Sequence, residues 1–148
     1  MDKKIDLSFK DIEKKLGITK KEVAVDENYS LSIWYEDVRS TQISRMSVFD
    51  LARCLRQNIY IEYILPEVLS RLWENPMLGH MTSGELMNLL SRIDKNFWRK
   101  NDRLRIQTER LVHAILHKEI VSPDYQLEDW IVEEFFSDVR KLKAKLQS

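Results

Sequence analysis

His113 and His117 stand four residues apart in a stretch with helical spacing, so both can face one metal ion. A catalytic zinc needs a third protein ligand. The residues between them, Ala114, Ile115 and Leu116, exclude the His-Glu-x-x-His arrangement of metalloproteases. Two surface histidines on a basic helix are the plainer reading. Cys54, the single cysteine, lies inside an apolar stripe running from Val48 to Ile59. A nucleophilic thiol needs a base within hydrogen-bond reach and a lowered pKa. Nothing near it in sequence supplies either, so a buried structural thiol is expected. Carboxylates occur in adjacent pairs: Asp26 with Glu27, Glu36 with Asp37, Glu128 with Asp129, and Glu133 with Glu134. Acid–base catalysis would need one of a pair in a pocket that displaces its pKa; on a polar helix face both are simply solvated. With three glycines in all, a backbone cradle for phosphate is hard to build, and no Walker or Gly-x-Ser-x-Gly sequence occurs. The expectation is a protein that is not an enzyme, with no catalytic residue, no metal and no cofactor.

Charge is the stronger signal. Lys plus Arg and Asp plus Glu each total 24, a formal net charge of zero, but the signs are segregated. Glu22 to Asp37 carries five acidic residues and no basic one. Arg92 to Lys118 carries eight basic and three acidic residues. Glu119 to Asp138 carries seven acidic residues and none basic. The basic segment includes Phe97 and Trp98, a combination that can grip single-stranded nucleic acid by charge and stacking. The alternative is that both rings anchor the segment to the core. Neighbouring acidic blocks repel phosphates, and the neutral balance argues against a general nucleic-acid binder. A small helical nucleic-acid-binding or regulatory interaction protein stands as the second reading. The acidic blocks suit docking onto a basic cleft of another protein, such as a nuclease active site, because charge complementarity speeds encounter and excludes wrong partners. Tyr125 and Trp130, beside Asp124, Glu128 and Asp129, are candidate anchors. The plainer reading is a solvated helix face with Trp130 in the core.

These residues must be held by helices. Phe9, Ile12 and Leu16 mark one helical face between a capping Ser8 and a terminating Gly17. Tyr29 to Val38 fits a helix or an alternating strand; helix is preferred, since no second strand lies nearby to pair with it. Ser47 with Asp50 has capping-box spacing before the Val48 to Ile59 stripe. Ile59 to Leu65 suits a buried helix or a buried strand, and Pro66 is expected to break or kink the chain or to open a new helix. Thr82 with Glu85 again has capping-box spacing, ahead of Leu86 to Ile93. Asp94 to Asn101 reads as a polar connection. Asp102 can cap a helix to about Lys118. A last helix is expected from about Leu127 to Leu146, with Leu127, Trp130, Ile131, Phe135, Val139, Leu142 and Leu146 on its buried side. The sum is an all-α fold, a compact single-domain bundle of about six or seven helices over residues 1–148.

The 148 residues, 43% hydrophobic and 32% charged, are enough for a core without staples. Three Gly and three Pro are too few for an all-β sandwich or barrel. No apolar run is long enough to span a membrane, the N-terminus does not read as a signal peptide, and a lone cysteine fits a reducing compartment. A cytoplasmic location is expected.

The middle of the chain carries an ordered set of features. The run Met46 to Ile59 contains Asp50 and the Arg56-Gln57 pair. A Leu65-Pro66 step, an Asn75-Pro76 loop with Gly79, a Gly84-Glu85-Leu86 helix start and a Phe97-Trp98 pair follow. Over about residues 44–98 this resembles the immunity proteins of bacterial contact-dependent growth inhibition (CDI) systems. The resemblance implies a mostly helical cytosolic protein that binds the C-terminal toxin domain of a cognate CDI exoprotein, often a nuclease, and blocks its active site, with a 1:1 complex expected. The matched positions read as architectural: Asp50 capping, Arg56 and Gln57 bonding across helices, Pro66, Pro76 and Gly84 setting turns. The partner surface is then sought in the flanks. The candidate toxin-binding residues are Asp124, Tyr125, Glu128, Asp129, Glu133 and Glu134, with Asp26, Glu27, Glu36 and Asp37 second.

Overall fold

The structure, a computed structural model, describes residues 6–18 and 29–148. Those residues form eight α-helices, two short 3-10 turns and no strand, so the all-α expectation holds among them. The chain makes two compact units, residues 1–50 and 51–148.

In the first unit, α1 (Phe9–Leu16) begins at Ser8, whose Oγ accepts from the Asp11 amide while the Asp11 carboxylate accepts from the Ser8 amide. It ends at Gly17, whose φ of 68° is the left-handed conformation that glycine adopts without a Cβ clash. α2 (Tyr29–Val38) is the helix preferred above. It turns Trp34, Tyr35 and Val38 inward and leaves Ile33 exposed, which an alternating strand could not do. Phe9 stacks on Tyr35 at 4.9 Å and meets Trp34 edge-on at 6.0 Å.

A carboxylate sits in this small core. Glu13, 4% exposed, accepts from the Tyr35 hydroxyl at 2.8 Å and from the Arg39 guanidinium at 2.6–3.0 Å. The same hydrogen bonds hold the Arg39 pKa above its ordinary value. Asp50 joins the cluster's edge. It closes the expected capping box with Ser47 and accepts from the Trp34 indole at 2.9 Å.

α3 (Val48–Gln57) runs through the division between the units and seals Cys54 inside. The second unit continues with α4 (Ile61–Glu74), α5 (Glu85–Ser91), α6 (Lys95–Lys100), α7 (Asp102–Leu116) and α8 (Asp129–Gln147). α8 packs against α5, α6 and α7, and α4 packs against α7 and α5. Phe135, Val139, Leu142 and Leu146 form the buried seam of α8.

Three expectations are corrected here. Pro66 neither breaks the chain nor opens a helix; it lies within α4. It costs the bond that would reach the Glu62 carbonyl, but Glu62 and Pro66 are both on the solvent side, where water can take that carbonyl. Ile64, Leu65, Val68 and Leu72 stay on one buried face. Asp94 to Asn101 is a helical turn and not a plain connection: Asp94 caps α6 by accepting from the Asn96 amide at 2.7 Å, and Trp98 is driven fully into the core. The last helix starts at Asp129, so Leu127 precedes it and is exposed, as is Trp130. Trp130 is five residues before Phe135, about 140° around the helix from the seam.

Removing one partner from the Glu13 cluster strands the other. Arg39→Ala should destabilise the protein, because it leaves the buried Glu13 carboxylate without its cation, though solvent at Arg39 moderates the loss. The readout is the urea midpoint, and Glu13→Leu/Arg39→Leu should recover part of the loss. Asp11 supplies a pH test. Backbone and side-chain hydrogen bonds from Ser8 hold its carboxyl below the usual aspartate value. Its contribution is therefore complete above the unfolded value, about pH 4, and is lost as pH falls through the lower folded value. The stability gap between wild type and Asp11→Ala should narrow over that acid range in urea titrations.

Candidate functional site

The acidic block Glu119 to Asp138 is built on a pinned loop followed by the first turns of α8. Ser122 is buried. Its Oγ accepts from the Asp124 amide at 3.1 Å and donates to Asn75 Oδ1 at 2.6 Å, tying the 3-10 turn Pro123–Gln126 to the end of α4. Asn75 Oδ1 also accepts from the Met77 amide. The Tyr125 ring packs 5.5 Å from Phe136 and 6.1 Å from Phe135. Lys118 Nζ sits over Phe136 at 4.3 Å. The Tyr125 hydroxyl is buried with no hydrogen-bond partner, and burial pushes its pKa up. Tyr125 is thus a wedge under the loop.

Beyond it the chain turns outward. Glu119, Glu128, Asp129, Glu133 and Glu134 are all exposed, Asp124 is half-buried, and Asp138 is buried against Asn88 at 3.2 Å. Trp130 is 62% exposed. Its indole donates to Glu128 Oε2 at 2.6 Å, which fixes a large apolar plane beside a carboxylate. Val121 and Leu127 are exposed along the same segment. Glu128 and Asp129 also sit at the positive end of the α8 dipole, which favours acidic residues there whatever their function.

Trp130, Glu134 and Asp138 line a cleft of about 540 Å³ whose other walls include Arg56, Arg92 and Gly84. Arg56 reaches Glu85 at 3.2 Å, as expected of a residue that bonds across helices. Glu85 serves a different purpose from the expected capping box with Thr82. Its Oε1 accepts from the His80 and Met81 amides, closing the 79–84 loop, while Gly84, at φ 85°, precedes α5. A Cβ on Gly79 would run into the Thr82 carbonyl. Gln57 is exposed at the end of α3. Neither the Ser122–Asn75 bond nor this cleft shows in the spacing of residues along the chain, because both join residues far apart in sequence.

The other candidates fall elsewhere. Asp26 and Glu27 lie outside the described residues. Glu36 and Asp37 are exposed on α2, in the first unit. Trp98 is fully buried, so the basic segment has no indole on which to stack a base. The His113 and His117 rings stack at 3.9 Å, with His117 Nδ1 2.9 Å from the His113 carbonyl, and no group of three metal-capable side chains occurs among the described residues. No helix among them is long and apolar enough to cross a membrane.

A family model described as CDI immunity proteins matches residues 17–108, more than half of the chain. Comparison with curated proteins gave no match. The matched span contains the Arg56–Glu85 clamp and the 79–84 loop and stops short of Glu119.

Tyr125→Phe removes a hydroxyl that is desolvated and unpaired. It should leave stability unchanged or raise it by about 1 kcal/mol, measured by urea unfolding.

Proposed function

The chain belongs to the family of CDI immunity proteins, and on that premise we propose that it neutralises a nuclease toxin by laying the 119–134 face over the toxin's active site. The partner is the C-terminal toxin domain of a cognate CDI exoprotein, bound one-to-one in the cytoplasm, and the immunity protein itself performs no chemistry. The observation that carries this reading is the exposed Trp130, held by Glu128, with the exposed Asp129, Glu133 and Glu134 on the same helix.

The physics is direct. A nuclease cleft must attract the phosphate backbone, so it is positively charged. A carboxylate-rich surface offers the same charge without a scissile bond. Opposed potentials raise the encounter rate and favour one orientation. A desolvated tryptophan near the centre of such a contact is the residue type that dominates binding energy. The face also lies outside the matched span, where surfaces that distinguish one toxin from another belong. Glu36 and Asp37, with Asp26 and Glu27, form the second candidate surface.

The test is co-expression with the cognate toxin domain, one partner tagged. A stoichiometric complex that rescues growth is expected. Trp130→Ala should weaken binding about 30-fold, the effect of losing roughly 2 kcal/mol at a hot spot. Glu128→Lys/Asp129→Lys/Glu133→Lys should weaken it further with unchanged circular dichroism, chiefly by slowing association at low salt. Wild-type affinity in both variants would move the interface away from this face; absence of any complex would remove the proposed partner.

A further inference from the structure

A second cleft of the larger unit, about 600 Å³, opens among α4, α7 and the C-terminal part of α8 and meets the face proposed above only at Glu119. Its size falls within the range of small-molecule sites, roughly 300–1,000 Å³. Trp73 and Ile106 line it and are each 41% exposed, with Val112, Leu116 and Leu146 on the same walls. A flat indole and an aliphatic wall are left facing water in a concave place, where an apolar guest gains most from burial.

Two carboxylates, Glu109 and Glu119, and two cations, Arg110 and Lys143, line this cleft, and they are not paired with one another. Glu109 is held by Arg105 at 3.0 Å. Glu119 stands 3.8 Å from His113 Nε2. Arg110 and Lys143 line the same cleft and have no acidic partner among the described residues. The walls are therefore largely apolar, and Arg110 and Lys143 are the cations on them that no described carboxylate pairs.

We propose that this cleft is a binding site for a small planar aromatic carboxylate. Its ring system lies against Trp73 and Ile106, and its carboxylate is held by Arg110 and Lys143. A cationic guest would meet two unpaired cations. A neutral aromatic would gain the apolar walls but leave both cations unanswered. A nucleotide would bring a polar base edge to walls built of Val112, Leu116 and Leu146, and so binds less well than an apolar ring with the same sign of charge.

The probe is 2-naphthoate, titrated into the full chain by calorimetry, with binding mapped by amide chemical shifts. The expected result is saturable 1:1 binding with Kd below about 100 μM and shifts confined to residues around Trp73, Ile106 and Arg110. Naphthalene-2-methanol, the same body without the charge, should bind at least about tenfold more weakly, as should adenosine monophosphate. Arg110→Gln/Lys143→Gln should cost a similar factor with unchanged circular dichroism. Trp73→Leu, which keeps an apolar wall but removes the plane, should weaken binding of both naphthalene probes. No saturation by about 1 mM, shifts lying elsewhere, equal affinity for the uncharged analogue, preference for the nucleotide, or undiminished binding to either variant would each overturn the proposal.

Discussion

The seam of α8 is the contact on which the larger unit leans. Phe135, Val139, Leu142 and Leu146 turn to one side of that helix, and α5, α6 and α7 all pack on it. Without it, α5 and α6 are too short to persist, since helices of six or seven residues do not hold in water on their own. The same seam sets the angle at which the opposite face of α8 meets solvent. Every outward residue from Asp129 to Glu134 owes its position to apolar groups a few residues further along the chain.

The polar contacts add specificity to that apolar frame. In the smaller unit one carboxylate, Glu13, joins α1 to Tyr35 and Arg39, so a surface cation and a core hydroxyl are satisfied at one point. In the larger unit Glu85 closes a loop through two amides and meets Arg56, while Ser122 and Asn75 fasten the acidic loop. Each bond spans elements that local propensity alone would not hold in register. Leaving either carboxylate unanswered would cost more than the bond itself contributes, because the charge would stay desolvated.

Much of the fold was legible. Helical spacing found α1, α3, α5 and α7, and the Ser8 cap, the Gly17 stop and the Ser47–Asp50 box fell where side-chain chemistry put them. The lack of a nearby strand to pair with favoured α2 as a helix, and it is one. The misses have physical causes. Pro66 is a breaker by local rules, but its lost hydrogen bond faces water while its neighbours bury a continuous stripe. Asp94 and Trp98 make a helical turn from a stretch whose polarity read as a connection. Trp130 reads as part of the buried side of the last helix, but five residues from Phe135 is about 140° of turn, which sends it outward. The acidic face was legible as charge. Its cleft, its tether through Asn75 and the cleft beside α7 were not, since they depend on which distant residues meet.

The phase of Trp130 separates two properties that share one helix. Positions 135, 139, 142 and 146 are written in the alphabet of volume, where a methylene too many or too few is felt throughout the unit. Positions 129, 130, 133 and 134 are written in the alphabet of charge and shape against an outside surface, where substitutions change stability by only a few tenths of a kcal/mol. Because the two sets follow one another along the helix without sharing a side, the outward set can be rewritten while the inward set stands. A chain built this way can change allegiance without having to learn to fold again.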